Sequence, residues 1–266
     1  MPLHLVIHWN PHPEIWPGVL PVRWYGLLFM SGFVFGYQIL KRFWIKEGRP
    51  IEDLDNLSLY VGLGTILGAR LGHCLFYEPA YYLNHPMEML KIWQGGLASH
   101  GAAILIPLAL WVYARQHPSY SFWWVIDRLV VVVALAGGLI RLGNLMNSEI
   151  VGAPTSLPWG FVFERLGEDL PRHPSQLYEA AFYFLTFGIL YGWHQKGHLK
   201  DRSGAMLGAF LVLIFGFRFV IEFIKANQVA FESNMSLNMG QLLSIPAIAL
   251  GFWLWIRPSR QAVSNV

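Results

Sequence analysis

The chain has 266 residues, 55% of them hydrophobic and only 13% charged, and its mean hydropathy is +0.41. Soluble domains carry about a quarter charged residues, so this composition argues against a water-soluble globule and for a bilayer protein. The net charge of +3 and a pI near 9.0 could suggest nucleic acid, but the basic residues lie in short clusters between apolar runs, which is a membrane-orientation signal.

The N-terminal stretch has no Lys or Arg before Arg23, so it lacks the basic region of a cleavable signal, and the first span must do its own targeting. His4, His8 and His12 recur at helical spacing, but Pro11 and Pro13 interrupt the helix that metal ligation would use. A helix crossing the hydrocarbon core needs ~20 mostly apolar residues. Seven stretches approach this: residues 22–43, 57–77, 97–114, 122–142, 176–193, 204–224 and 239–256. They predict an all-α integral membrane protein, one polytopic domain over residues 1–266, with an outer loop at 143–175. The twelve Trp, eleven Tyr and eighteen Phe suit aromatic belts at two interfaces. Glycines within the spans, such as Gly62, Gly64, Gly68 and Gly72, let helices approach closely in lipid. The single cysteine, Cys74, excludes an internal disulfide and sits in an apolar run where a thiol packs as a small hydrophobe. His173 and Pro174 form a turn into the fifth span, with Ser175 as its expected cap.

Orientation follows from the short loops. Lys41, Arg42, Lys46 and Arg49 follow the first span, Arg115 the third, Lys196, Lys200 and Arg202 the fifth, and Arg257 and Arg260 the seventh. The alternate loops are poorer in cations, which places the N-terminus outside and the C-terminus in the cytoplasm.

Ionisable residues inside spans are costly and default to functional candidates. With this topology Tyr25, Arg70, His100, Arg141, Arg218 and Glu222 all fall toward the outer leaflet. Any one arginine near a helix end can snorkel, and Arg218 with Glu222 has the spacing of a plain helical ion pair. Three arginines at one depth, however, call for an anion, and the guanidinium fork suits phosphate. An anionic phospholipid headgroup is the natural ligand.

The densest motif is Gly138-Leu-Ile-Arg141-Leu-Gly143-Asn144-Leu-Met-Asn147-Ser-Glu149-Ile-Val-Gly152. It reads as irregular backbone lining a cavity at a membrane boundary, which polar capping alone does not explain. This segment is similar to the diagnostic motif of the prolipoprotein diacylglyceryl transferases, with Ile140 where that pattern has Gly and Leu145 where it has Phe. The segments Arg23–Gly26, Gly68–Gly72, Gly95–Gly101, Pro171–Glu179, Gly216–Phe223 and Met239–Gln241 resemble that family in the same order.

The resemblance implies a transferase of the bacterial inner membrane that faces the outer leaflet. It would move the diacylglyceryl group of phosphatidylglycerol to the lipobox cysteine of prolipoprotein signal peptides. A thioether forms and glycerol phosphate leaves, with no cofactor or metal. The resemblance also implies roles: His100, Arg141 and Arg218 catalytic, with His100 as general base or substrate positioner and the two arginines on the phosphate. Tyr25, Arg70, Asn144, Asn147, Glu149, Gly152 and Glu222 would serve substrate binding, with Glu222 holding Arg218 and Gly152 serving the backbone. The alternatives are a small membrane transporter and a non-catalytic protein that binds anionic lipid. A transporter would spread ionisable groups across the bilayer depth, whereas here the inner halves hold little beyond Asp127 and Arg128.

Overall fold

The structure, a computed structural model, describes residues 6–199, 201–226 and 235–257; His4, Lys200 and Arg260 lie outside the described residues. Three short strands, β1 (Ile7–Trp9), β2 (Glu14–Trp16) and β3 (Leu20–Arg23), precede helix α1 (Trp24–Lys46). Then come α2 (Ile51–Phe76), the short α3 (Pro79–Asn84), α4 (Ser99–Gln116) and α5 (Phe122–Asn147). The chain continues through β4 (Phe161–Phe163), α6 (Ser175–Gln195), α7 (Ala205–Ile221) and α8 (Met239–Ile256). Each apolar stretch of the sequence falls on one long helix.

Among the described residues, four helical segments are long and apolar enough to cross a membrane: α2, α5, α7 with its extension to Ile224, and α8. Helices α1, α4 and α6 carry more polar and aromatic side chains, among them Tyr25 and Gln38, His100 and Arg115, and Gln176 and Glu179. Large apolar residues stay exposed along the helices, for example Leu59, Leu63, Ile66 and Leu67 on α2 and Leu243, Phe252 and Trp253 on α8. Faces of that extent suit lipid rather than water.

The helix ends differ from the sequence expectation for identifiable reasons. Helix α1 starts only at Trp24, because Val22 and Arg23 complete β3, where Arg23 pairs with Glu14 of β2. Helix α2 starts already at Ile51: Pro50 takes an extended conformation before it, and Glu52 and Asp53 complement the dipole of its first turn. Helix α5 continues to Asn147, so most of the dense motif is regular helix and not irregular backbone. Only its end departs, with Ser148 and Ile150 in the left-handed region at φ 55° and 57°. Such a conformation is costly for a β-branched residue and persists only where neighbours enforce it.

The chain forms two compact units, Ile39–Arg128 and Met1–Gln38 with Leu129–Val266. In the first, α2 and α4 run antiparallel, with Gly64 facing Ala109, Gly68 facing Ala102, and Gly72 facing Gly101. A Cβ at Gly101 would collide with the Gly68 carbonyl, so this crossing exists only with glycine there. The opposite end of this unit is an aromatic and charged box. Trp44 packs on Trp124, Arg128 pairs with Glu47 at 2.5 Å, and Tyr120 donates to Asp53 Oδ2 at 2.7 Å.

In the second unit the first turns of α1 run antiparallel to α5, with Gly32 against Ala136 and Gly143 against the Tyr25 ring. Helices α7 and α8 cross at Gly208 and Gly251. Strand β1 pairs parallel with β4, and Leu145, Phe161 and Phe163 form a small core joined by Trp9, Val151 and Leu177. The Trp9 indole donates to the Leu145 carbonyl at 2.9 Å, fixing this small core on the last turns of α5.

Candidate active site

The last two turns of α5 place Arg141, Asn144 and Asn147 at helical spacings of three, so their side chains share one side of the helix. Glu149 follows just beyond, where the chain turns through the two left-handed residues. Asn144 stands between charges: its Oδ1 accepts from Arg141 Nη1 at 3.3 Å, and its Nδ2 donates to Glu149 Oε2 at 3.3 Å. Asn147 donates to the other carboxylate oxygen, Oε1, at 3.1 Å. An amide can bridge a cation and an anion in this way, whereas a carboxylate in its place could only accept.

The loop beyond Glu149 is held by backbone. Gln176 Nε2 donates to the Glu149 carbonyl at 2.6 Å, and Ser175 Oγ donates to the Ile150 carbonyl at 2.8 Å. The Ser175 hydroxyl therefore clamps this loop and makes no side-chain cap on α6, because Pro174 occupies the capping position. At Gly152 three segments cross: its N–H donates to His173 O at 2.9 Å, and it bridges to Lys225. A Cβ there would meet His173 and the Ile224 carbonyl, so the crossing requires glycine.

A buried ionic chain runs on from Arg141. Its Nε pairs with Glu179 Oε2 at 2.5 Å, and Glu179 Oε1 faces Lys225 Nζ at 3.2 Å. Lys225 also reaches Glu222 Oε1 at 3.1 Å, and Arg218 Nε lies 3.6 Å from that same oxygen. Asn238, the N-cap of α8, donates to Glu222 Oε2 at 3.0 Å. Glu179, Lys225 and Glu222 are 4%, 7% and 9% exposed, so water screens this chain little. Arg218 Nε is buried and, among the described residues, finds no hydrogen-bond acceptor.

Arg141 and Arg218 line one cavity with Glu179, Phe182, Tyr183, Ile214 and Phe217. Its wall carries two guanidiniums against one carboxylate, which Lys225 shares. The cavity measures about 10 Å³, and the rings of Phe182 and Phe217 stack beside it with centroids 4.1 Å apart. A wider depression of about 430 Å³ lies at the start of α1, with Arg23, Tyr25, Met30 and Asn147 among its walls.

In the other unit Arg70 is 3% exposed, and backbone carbonyls occupy its guanidinium. It donates to Glu88 O at 2.6 Å, Met89 O at 3.0 Å and Gly95 O at 2.6 Å, and stacks over the Tyr82 ring. Arg70 thus organises the loop that leads into α4. His100 is exposed in the first turn of α4, its ring against Phe76 and Tyr77, and Tyr77 in turn stacks on His73. Cys74 is fully buried. His8 pairs with Glu164 at 3.0 Å, His12 accepts from the Glu14 N–H, and no cluster with metal-ligand character occurs among the described residues.

The structure thus brings Arg141, Asn144, Asn147, Glu149, Arg218 and Glu222 into one network, with Tyr25 packed on Gly143 beside it. The sequence reading missed Glu179 and Lys225. Glu179 was findable, since it is an acid inside the fifth apolar stretch. Lys225 sits at a span end, where a lysine is usually unremarkable.

The family described as prolipoprotein diacylglyceryl transferase matches residues 14–257. The chain belongs to that family. It is 48% identical over 257 residues to a phosphatidylglycerol–prolipoprotein diacylglyceryl transferase of Tolumonas auensis, covering 96% of this chain and 99% of the relative. Relatives of the same name in Chloroherpeton thalassium and Porphyromonas gingivalis are 44% and 45% identical, and the matches cover 96% and 92% of both chains respectively. The ionic chain and its cavity therefore belong to a member of a transferase family.

Proposed function

We propose that the protein transfers the diacylglyceryl group of phosphatidylglycerol to the lipobox cysteine of prolipoproteins, the first step of bacterial lipoprotein maturation. The full-length match to relatives named for that transfer supports the reading, and the cavity shared by Arg141 and Arg218 carries it chemically. The substrate thiol loses its proton and attacks the glyceryl carbon that bears the phosphate. The C–S bond forms as the C–O bond breaks, and the electron pair leaves on glycerol phosphate.

That departure gathers charge on phosphate oxygens, which preorganised cations stabilise most strongly in a site that excludes water. Arg141 and Arg218 hold the phosphate in this reading; Arg218 Nε, buried and 3.6 Å from Glu222 Oε1, has no hydrogen-bond acceptor among the described residues. Asn144, Asn147 and Glu149 take the headgroup hydroxyls, Tyr25 packs against the motif, and Glu222 steadies Arg218. His100 is the proton acceptor, on the chemistry of an exposed imidazole and the ordinary thiol pKa of ~8.5. Arg70 acts through the loop it organises, and Gly152 through the backbone crossing. A cavity of about 10 Å³ holds roughly one water, so its walls must move apart to admit a phosphodiester.

The seven long helices then form one membrane domain in the inner membrane, N-terminus outside and C-terminus in the cytoplasm, with the motif facing the outer leaflet. Reconstituted protein supplied with phosphatidylglycerol and a lipobox peptide tests the reaction. Thioether-linked diacylglyceryl peptide and free glycerol phosphate are expected, both lost in Arg141→Ala. Folded wild-type protein that yields neither would overturn the proposal.

A further inference from the structure

We infer that Glu179 and Lys225 are positioning residues for the transfer, setting the spacing and direction of the two phosphate-facing arginines. The inference rests on the proposed reaction and adds two residues to it.

Arg141 and Arg218 sit on different helices, and each ends in a long flexible stem. Glu179 grips Arg141 at Nε with one oxygen, and its other oxygen faces Lys225. Lys225 reaches on to Glu222, and Glu222 lies beside Arg218. The ammonium is thus the central link of a chain of alternating charge that ends in a guanidinium at each side. The residues on either side of Lys225 are tied to the motif loop: Ala226 N–H donates to Val151 O at 3.2 Å, and Ala153 N–H donates to Ile224 O at 2.8 Å. Lys225 therefore fixes the arginines to the Glu149–Gly152 turn as well as to each other. Both residues are buried; Glu179 lines the cavity beside Arg141, and Lys225 is not among the lining residues.

Burial explains why the chain works only whole. Removing one member leaves an uncompensated charge in a poorly screened place. Without Lys225, Glu179 and Glu222 repel each other, and Arg141 and Arg218 are drawn apart. Without Glu179, Arg141 loses its grip and Lys225 faces Arg141 with nothing between them. Replacing both removes one charge of each sign and leaves the rest balanced as before.

The test measures turnover of phosphatidylglycerol and inhibition by free glycerol phosphate in Glu179→Gln, Lys225→Met, the double variant and Lys225→Arg, with folding checked by thermal unfolding. Each charge-removing single variant is expected to lose ~10–100-fold in kcat, with KM for phosphatidylglycerol within about threefold, because the arginines act on charge that develops during reaction. The inhibition constant for glycerol phosphate rises in parallel. A loss of folded protein would lower kcat and leave that constant unchanged. Lys225→Arg stays within about threefold of wild type, and the double variant loses no more than either single one, as members of one unit do. An unchanged inhibition constant in the single variants, or losses that multiply in the double variant, would overturn the inference while the transferase reading stands. Absence of wild-type turnover would instead sink that reading. Calorimetric titration of glycerol phosphate into the same proteins would still decide whether the pair sets the anion site.

Discussion

Arg70 and Arg141 both lie on glycine-rich helices, and both are largely shielded from water, yet their surroundings give them different work. Around Arg70 every acceptor is a backbone carbonyl of the 88–96 loop, so the guanidinium is saturated by neutral groups that move with that loop. Around Arg141 the partners are side chains, Glu179 and Asn144, themselves joined to further charges and to a cavity. A carbonyl-saturated arginine holds a chain in place. One held by a carboxylate beside a cavity keeps donors for an anion. The sequence shows the same residue in similar company at both places.

The comparison breaks most decisively at Arg141. Arg141→Ala should lower kcat/KM by ~10²–10³ or more, the usual loss of a charge-stabilising donor. Arg141→Lys should recover only part, since an ammonium lacks the fork that serves Glu179, Asn144 and phosphate together. Thioether product against time, in folded protein, reads both. Equal activity in Arg141→Ala would show that the cavity is not the phosphate site.

Arg70→Lys should fail almost as badly as Arg70→Ala, because one ammonium cannot span the carbonyls of Glu88, Met89 and Gly95. A drop of about tenfold in activity is expected, with faster hydrogen exchange or proteolysis in the 85–98 segment. Loss of activity without loosening of that segment would place Arg70 on substrate instead. Gly152→Ala should cost less in folding than in rate: a Cβ would push on His173 and Ile224 and shift the turn that carries Glu149. About tenfold lower kcat with a modest fall in thermal midpoint is the expected outcome.

The smallest effects lie away from both arginines. Cys74→Ser should keep most of the activity and lose about 1 kcal/mol of stability, as a hydroxyl replaces a buried thiol. Abolished turnover in folded Cys74→Ser would mean that the enzyme uses its own thiol. In the aromatic box, burial and the Asp53 hydrogen bond push the Tyr120 phenol up to about 12 from its ordinary 10.0. The folded state then holds its proton more tightly than the unfolded one. This contribution to stability is complete below pH 10.0 and is lost as the pH rises toward about 12. Tyr120→Phe should flatten unfolding stability across that interval and leave turnover unchanged.

The long helices were readable from the chain because a bilayer imposes a simple rule: ~20 apolar residues with their backbone satisfied internally. That rule is local, so residues 57–77 or 239–256 reveal themselves without reference to any neighbour. The motif was legible by its composition, an arginine, two asparagines and a glutamate at a membrane boundary, but the sequence suggested irregular backbone where α5 in fact continues to Asn147, with Glu149 just beyond it. The helix ends were less legible, as at Val22 and Arg23, where a strand partner at Glu14 decides the matter. The left-handed turn at Ser148 and Ile150 was hidden for the same reason. Clamps from Gln176 and Ser175, far along the chain, hold it in place. Tertiary structure alone decided that Arg70 serves a loop and that Lys225, at a span end, joins Glu179 to Glu222. Charges act through space, and in a buried site a few ångströms fix which partner each one takes; spacing along the chain does not encode those distances.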